Sequence, residues 1–432
     1  MNRNRANKKR TGRARVLSRA AAGMLAAALC FQPMTALAGP AGDSSLTSSS
    51  SNAGPGGGSG SSNSGSTGSS GGSTSVSNGS VSAVTSGLGV YRVTENEGIG
   101  AIARGVDVSY WQQNVNWSQV ASDNVQFAML ATRFRGNVDP FFAMNAANAS
   151  QAGLRLGAYI YSYATSVEMA QQEADFVLNL IKDYPISFPV VFDAEDANTL
   201  GTLTQSQVSD VINAFCKRIQ DAGYYPMVYA NEYWIANKID MSKISYDIWV
   251  AKYQQKYTYS KTSMWQASNT GSVKGVNGNV DIDYLYKDYT QIIPGNTWRT
   301  IAGNRYYYQN HVMQKAAWIN DGQNWYYMNA AGNPSKGWLE LSGKKYYLEA
   351  DGHMITGWKT LDGGWRYFDA SGEQATGWRA VDGSWYFMAD NGLMQTGWLE
   401  TGGKKYYLNA SGAMQAGWQN LGGSWYYFDG SG

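Results

Sequence analysis

The stretch Phe188-Pro189-Val190-Val191-Phe192-Asp193-Ala194-Glu195-Asp196 decides how the rest of the chain reads. It begins as an apolar, β-branched run and ends in three carboxylates. A run that is apolar on both faces reads as a buried strand of a parallel sheet. Alternate residues of a strand share a face, so Asp193 and Glu195 project the same way, with Cα atoms roughly 6–7 Å apart. Two acids crowded at a strand end repel, which raises the pKa of at least one of them. A group raised in this way can stay protonated near neutral pH and act as a general acid beside an ionised neighbour. Asp196, taken alone, is equally well explained as an ordinary cap before a loop.

Working outward from this strand, residues 89–290 alternate strand-like runs with helical patterns. The other strand candidates are Gly105–Ser109, Phe127–Arg133, Arg155–Tyr163, Tyr225–Ala230, Asp247–Lys252, Ser263–Ala267 and Val280–Leu285. Two capping boxes announce helices. Thr165-x-x-Glu168 opens Val167–Tyr184, and Thr204-x-x-Gln207 opens a helix whose apolar face is Val208, Val211, Ile212, Phe215 and Ile219. Strands alternating with helices at this density predict an α/β fold, a barrel of the (β/α)8 kind. The last three strands follow too closely for full helices, so the barrel is expected to be irregular there.

Chemistry in such a barrel collects at the C-terminal ends of the strands. The acids expected there are Asp107, Asp193, Glu195, Asp281 and Asp283, accompanied by Tyr159, Tyr161, Tyr163, Tyr229, Trp249, Trp265 and Gln266. A carboxylate cluster with an aromatic rim suits a sugar cleft. The only histidines, His311 and His353, lie beyond residue 290. The barrel therefore has no means of building a Ser-His-Asp, Cys-His or His-ligated zinc site. There is no glycine-rich phosphate loop either, and no metal or cofactor is expected. Paired carboxylates remain, and they are the equipment of glycoside hydrolysis.

The flanking segments differ in composition. Residues 1–38 carry eight Lys/Arg and no acid, then an apolar run near Ala20–Phe31, then Ala36-Leu37-Ala38. This is the pattern of a secretory signal peptide. Its removal turns the formal charge of +2 into −6, from 26 basic and 32 acidic residues, which argues against a nucleic-acid partner. No other run approaches the length of a membrane span. Cys216 is then the one remaining cysteine, expected in the core with no intramolecular disulfide. Residues 39–88, dominated by Ser, Gly, Asn and Thr, read as a disordered tether.

Beyond a join near 291, Trp298, Trp318, Trp338, Trp358, Trp378, Trp398 and Trp418 recur every 20 residues. Each repeat reads as a β-hairpin too small to bury its own face, so residues 291–432 are expected to stack as a solenoid.

The segments Gly105-Val-Asp107-Val-Ser109-x-Trp111-Gln112, Asp193-Ala-Glu195-Asp196, Tyr229-Ala-Asn231, Trp249-Val-Ala251-x-Tyr253, Trp265-Gln266 and Gly278-Asn-Val-Asp281-Ile-Asp283 occur in this order. In this the chain resembles family-25 glycoside hydrolases over roughly 103–290. The resemblance implies an irregular barrel and cleavage of the N-acetylmuramic acid–N-acetylglucosamine β-1,4 bond of peptidoglycan. It implies Glu195 as proton donor, Asp193 as assisting carboxylate, and Asp107 and Asp281 as the remaining acids. Asp283 stands where the family often has Asn. The substrate contacts expected are Tyr159, Tyr161, Tyr229, Trp249, Trp265 and Gln266.

The array at 298–432 resembles the choline-binding repeats of bacterial surface proteins. That resemblance implies aromatic cages for a quaternary ammonium, held by cation–π attraction. Trp stands at 325, 365, 385 and 425, but Arg305, Lys345 and Lys405 replace it elsewhere. A cation in a cage wall repels another, so fewer working cages than hairpins are expected. The ligand contacts expected are Trp358, Trp365, Trp378, Trp385, Trp418 and Trp425, with choline-bearing teichoic acid or a glucan as the wall polymer. The chain thus reads as a secreted, wall-associated muramidase. A surface adhesin or glucan-binding protein with a non-cleaving barrel is the alternative.

Overall fold

The computed structural model describes residues 83–93 and 98–432. The signal segment 1–38 and the tether as far as residue 82 lie outside the described residues. Residues 83–88, read above as the end of the tether, instead pair in a hairpin of Ala83–Ser86 with Gly89–Arg92. The reason is local. Tyr91 is buried, and the backbone of Arg92 exchanges hydrogen bonds with the Asn124 amide at 3.0 and 2.7 Å.

Eight strands close into a barrel. They are β1 (Ala103–Val108), β2 (Phe127–Ala131), β3 (Arg155–Tyr161), β4 (Ile186–Asp193), β5 (Pro226–Asn231), β6 (Asp247–Ala251), β7 (Thr262–Gly271) and β8 (Val280–Leu285). Strands β1 to β7 run parallel, whereas β8 pairs antiparallel with both β7 and β1. This is where the expected irregularity falls. The short link after β7 leaves no room for a helical crossover, so the chain turns back as a hairpin strand.

Helices α1 (Trp117–Ser122), α2 (Phe142–Gln151), α3 (Val167–Ile181), α4 (Gln205–Asp221) and α5 (Glu232–Asn237) lie between the strands in sequence. The Thr204 capping box forms as expected, with Thr204 and Gln207 each capping the other's backbone N–H. The cap of α3 is one residue later than expected: Ser166, not Thr165, accepts the Met169 N–H. The apolar stripe Val208, Val211, Ile212, Phe215, Ile219 is buried, as is Cys216, whose thiol burial pushes up.

All eight residues of β4 are buried, which is why the Phe188–Phe192 run carries no polar face. Its Pro189 has no N–H for the ladder. The β3–β4 register slips at this point, from Leu156↔Ile186 to Ala158↔Val190. Gly157 lies at the slip, where an added Cβ would stand 2.4 Å from the Met129 sulfur and 2.9 Å from the Pro189 carbonyl. Inside the barrel, Phe127, Phe188, Met264 and Leu285 are among the buried apolar side chains. The acids occupy the opposite mouth.

After residue 297 the chain forms seven aromatic hairpins, from Thr297–Ile301 paired with Asn304–Gln309 to Gly417–Leu421 paired with Ser424–Phe428. The first hairpin is built into the barrel's core. Ile301, Tyr306 and Tyr308 join the same buried apolar cluster as the barrel strands and helices. The Arg299 guanidinium is enclosed between the rings of Tyr224 (3.9 Å) and Tyr308 (4.3 Å). Tyr308 also donates to the Lys182 carbonyl at the end of α3, at 2.8 Å.

Gly157→Ala is expected to lower stability by about 1–3 kcal/mol through overpacking against backbone. A shift of the denaturant midpoint at constant slope would measure it.

Candidate active site at the barrel mouth

Because β8 runs against the other strands, its first residues lie at the same rim as the last residues of β1 and β4. Asp281 thereby pairs directly across from Asp107. Asp193 shares a rung with Tyr161 on one side and Tyr229 on the other. Glu195, two residues on, lies just beyond the strand and lines the same cleft. The period of 2 therefore brings both acids to one face, as the sequence spacing requires.

The cleft has a volume of about 510 Å³ and is lined by Asp107, Asp193, Glu195, Asp281, Tyr159, Tyr161, Tyr229, Trp249 and Gln266. Trp265 is the exception among the expected residues. It is buried outside the barrel lumen, donates to the Lys252 carbonyl at 2.8 Å, and packs on Tyr257 and Tyr284. Its neighbour Gln266 takes the inward position of β7, since consecutive strand residues face opposite sides. Asp283 lies one inward step below Asp281, opposite Gly105, and is fully buried. Its Oδ1 accepts the Trp249 indole N–H at 3.0 Å, and its Oδ2 has no partner.

Gln266 organises the floor. Its Nε2 donates to Asp107 Oδ2 at 2.7 Å, while its Oε1 accepts the hydroxyls of Tyr229 (2.8 Å) and Tyr253 (2.7 Å). The two phenols fix which end of the amide faces Asp107. Asp196 points away from this group. It accepts the amides of Asn198 and Thr199, the Thr199 hydroxyl and the Tyr161 hydroxyl, and these bonds outweigh burial and hold its pKa down. It caps the loop, as its place before that loop suggested.

Burial raises the pKa of every cleft acid. Asp193 is raised further by the charge of Glu195, and Glu195 by those of Asp281 and Asp196. Burial pushes Asp281 up to about 6, against a hydrogen bond with Asp107. Asp107 is raised by burial and by Asp281 and Asp283, with Gln266 opposing. Within the Asp193/Glu195 pair, Glu195 is the carboxyl open to the cleft, while Asp193 is buried with its Oδ1 unpartnered. The pair has the equipment to carry one transferable proton beside one fixed charge.

Trp111, Arg133, Phe134, Arg135 and Tyr253 also line the cleft but were not among the residues expected there. Arg133-Phe134-Arg135 follows directly on β2, and residues just beyond a strand's C-terminal end fall on this rim. That placement was the available signal. Arg133 is held by the buried Glu173 of α3 at 2.5 Å and by the Tyr161 carbonyl at 2.7 Å. Glu173 also accepts the Ser162 hydroxyl at 2.6 Å and the Tyr163 amide at 3.0 Å.

In the repeats, cross-strand pairing puts Trp358, Trp365 and Tyr367 on one face of a hairpin. Tyr386 of the following hairpin closes it, 4.8 Å from Trp358. Trp378 meets Phe387 and Tyr406 in the same way, with Trp385 on its face. Trp318, with Trp325, Tyr327 and Tyr346, forms a like set that was not expected. Trp418, Trp425 and Tyr427 share a face, but among the described residues no further hairpin stands over them.

Comparison with known proteins accords with this architecture. The Glycosyl hydrolases family 25 model matches residues 106–276. Choline-binding repeat models match 335–376, 355–397 and 375–416, and a putative cell wall binding repeat matches 317–333 and 416–432. The chain is 31% identical over 189 residues to the uncharacterized protein YegX of Escherichia coli K12, covering 41% of this chain and 68% of that protein. It is 30% identical over 195 residues to Lysozyme M1 of Streptomyces globisporus, covering 41% and 66%. It is similar to the solved structure of CbpJ from Streptococcus pneumoniae, with 32% identity and a TM-score of 0.31. That match covers 39% of this chain and 63% of the other, a little under two thirds of its length. The chain belongs to glycosyl hydrolases family 25, and its barrel is a glycoside hydrolase domain followed by choline-binding repeats.

Asp283→Asn keeps an acceptor for Trp249 and removes a buried carboxyl whose pKa is raised, first by burial and then by Asp281. A raised carboxyl supports folding below its unfolded pKa, and that support is lost as pH rises through the folded value. The amide does not titrate. The variant's melting temperature should therefore exceed the parent's by a margin that widens from about pH 5 to about pH 8.

Proposed function

We propose that this chain is a secreted N-acetylmuramidase that cleaves the N-acetylmuramic acid–N-acetylglucosamine β-1,4 bond of peptidoglycan and is held on the cell wall by its repeats. Residues 89–290 are the catalytic part, 291–432 the wall-binding part, 1–38 the export signal and 39–88 the tether. The observation that carries the reading is the pair Asp193/Glu195 at one cleft, with the more open member raised by burial and by its acidic neighbours. The likeness to Lysozyme M1 supports the substrate class.

Glu195 gives its proton to the glycosidic oxygen as the bond to the anomeric carbon breaks. The departing sugar leaves as an alcohol, and positive charge develops at the ring left behind. Asp193, with its unpartnered oxygen, orients the substrate's N-acetyl group to meet that charge. Asp107 and Asp281 complete the anionic floor beneath it. Tyr159, Tyr161, Tyr229 and Trp249 supply ring faces and hydroxyls along the cleft. On the repeats, the cages around Trp358 and Trp378, with Trp365 and Trp385, take the quaternary ammonium of a choline-bearing wall polymer, and Trp418 and Trp425 line a further face for it.

Glu195→Gln should reduce the clearing of purified walls by roughly 10²–10⁴-fold, since the amide has no proton to give. The parent's products should carry reducing-end N-acetylmuramic acid; another reducing end would overturn the bond assignment. Asp193→Asn should lower turnover more than wall binding. Activity should fall on the alkaline side as Glu195 ionises. Asp281→Asn removes a neighbouring charge that raises Glu195, so the alkaline limb of its pH profile should move to lower pH. Free choline at millimolar concentration should release the full chain from walls. Release by a soluble glucan instead would decide for the glucan.

A further inference from the structure

Seven hairpins with the same register allow their cages to be compared wall by wall. Counting from the first-strand tryptophan, the walls are the residues 7 and 9 positions later on the same face and the residue 28 positions later on the next hairpin. For Trp358 these are Trp365, Tyr367 and Tyr386, and all are aromatic. For Trp298 the first is Arg305. For Trp338 the first is Lys345 and the last is Arg366.

The two arginines do more than replace a ring. The Arg305 guanidinium lies 4.1 Å from the centre of the Trp298 indole, where a bound ammonium would stack. Tyr307 and Tyr326 flank that indole at 5.1 and 4.9 Å. Burial and then Asp321 raise the Tyr326 hydroxyl, while Arg305 pulls it the other way, so the cation sits within reach of that wall too. The Arg366 guanidinium lies 5.0 Å from the Trp338 indole and is buried. It donates to the Asn391 and Leu361 carbonyls and to Asp362 Oδ2 at 3.3 Å. In both cages a carboxylate of the next hairpin accepts the indole N–H, Asp321 at 3.0 Å and Asp362 at 3.2 Å.

We infer that the Trp298 and Trp338 cages are filled by the chain's own Arg305 and Arg366, which restricts quaternary ammonium binding to the cages whose walls are all aromatic. The inference rests on the choline reading of the repeats. The cation–π attraction that would hold a ligand is spent within the fold, and the fixed charge repels a second cation. The repeat array therefore sets its valency by single substitutions at two wall positions.

The test counts choline bound per full-length chain by equilibrium dialysis. Arg305→Trp gives the Trp298 cage the same walls as the Trp318 cage, and should gain one choline. The double variant Lys345→Trp/Arg366→Tyr should likewise gain one. Trp365→Arg moves the same device into the Trp358 cage and should lose one. A parent that binds choline while Arg305→Trp and the double variant bind the same number would overturn the self-filled cages and leave the choline reading standing. Absence of choline uptake by parent and variants alike would overturn both.

Discussion

The antiparallel closing strand is the constraint on which the site depends. A barrel finished by an eighth parallel strand would carry residues 281 and 283 to the far mouth. Reversing β8 brings Asp281 across from Asp107, on the rim that already holds Asp193 and Glu195. Four carboxyls then share a cavity with little solvent, where desolvation and mutual repulsion act in the same direction. The proton that this arrangement retains is the reagent of the reaction. The same crowding makes the acids costly to the fold at neutral pH, a burden that the surrounding apolar barrel offsets.

The repeats answer a different physical problem. A two-stranded hairpin cannot bury both faces, so each one lends a Tyr to the tryptophan of the hairpin before it. Backbone bonds such as Met394 N–H to the Trp365 carbonyl and Met414 N–H to the Trp385 carbonyl lock this stacking at fixed intervals. The rings that hold the array together are also its ligand surface. That double use is why an arginine can take a wall position without loss of the array: it supplies the contact a ring would make, and closes the site in doing so.

Barrel and array meet through the first hairpin, whose Ile301, Tyr306 and Tyr308 are part of the barrel's core. Arg299 is enclosed there by two phenol rings, with no hydrogen-bond partner for its nitrogens. The composition break near residue 291 marks where one repeat type begins. It does not mark where shared packing ends.

Much of this could be read from sequence because it depends on short-range periodicity. Alternation along Phe188–Asp196 put Asp193 and Glu195 on one side, the Thr204 box started α4, and a tryptophan every 20 residues announced the hairpins. Lys and Arg at the wall positions already marked some cages as different. Tertiary structure decided what depends on direction and on distant partners. Strand reversal in β8, the outward turn of Trp265, the arrival of Arg133 and Arg135 at the rim, and the pairing of Tyr91 and Tyr308 with the barrel leave no local pattern. Whether Arg366 lies over Trp338 or reaches into solvent is decided by Asp362 and Asn391, residues on other strands and turns. Local sequence sets which face a side chain takes; only the folded chain sets what that face meets.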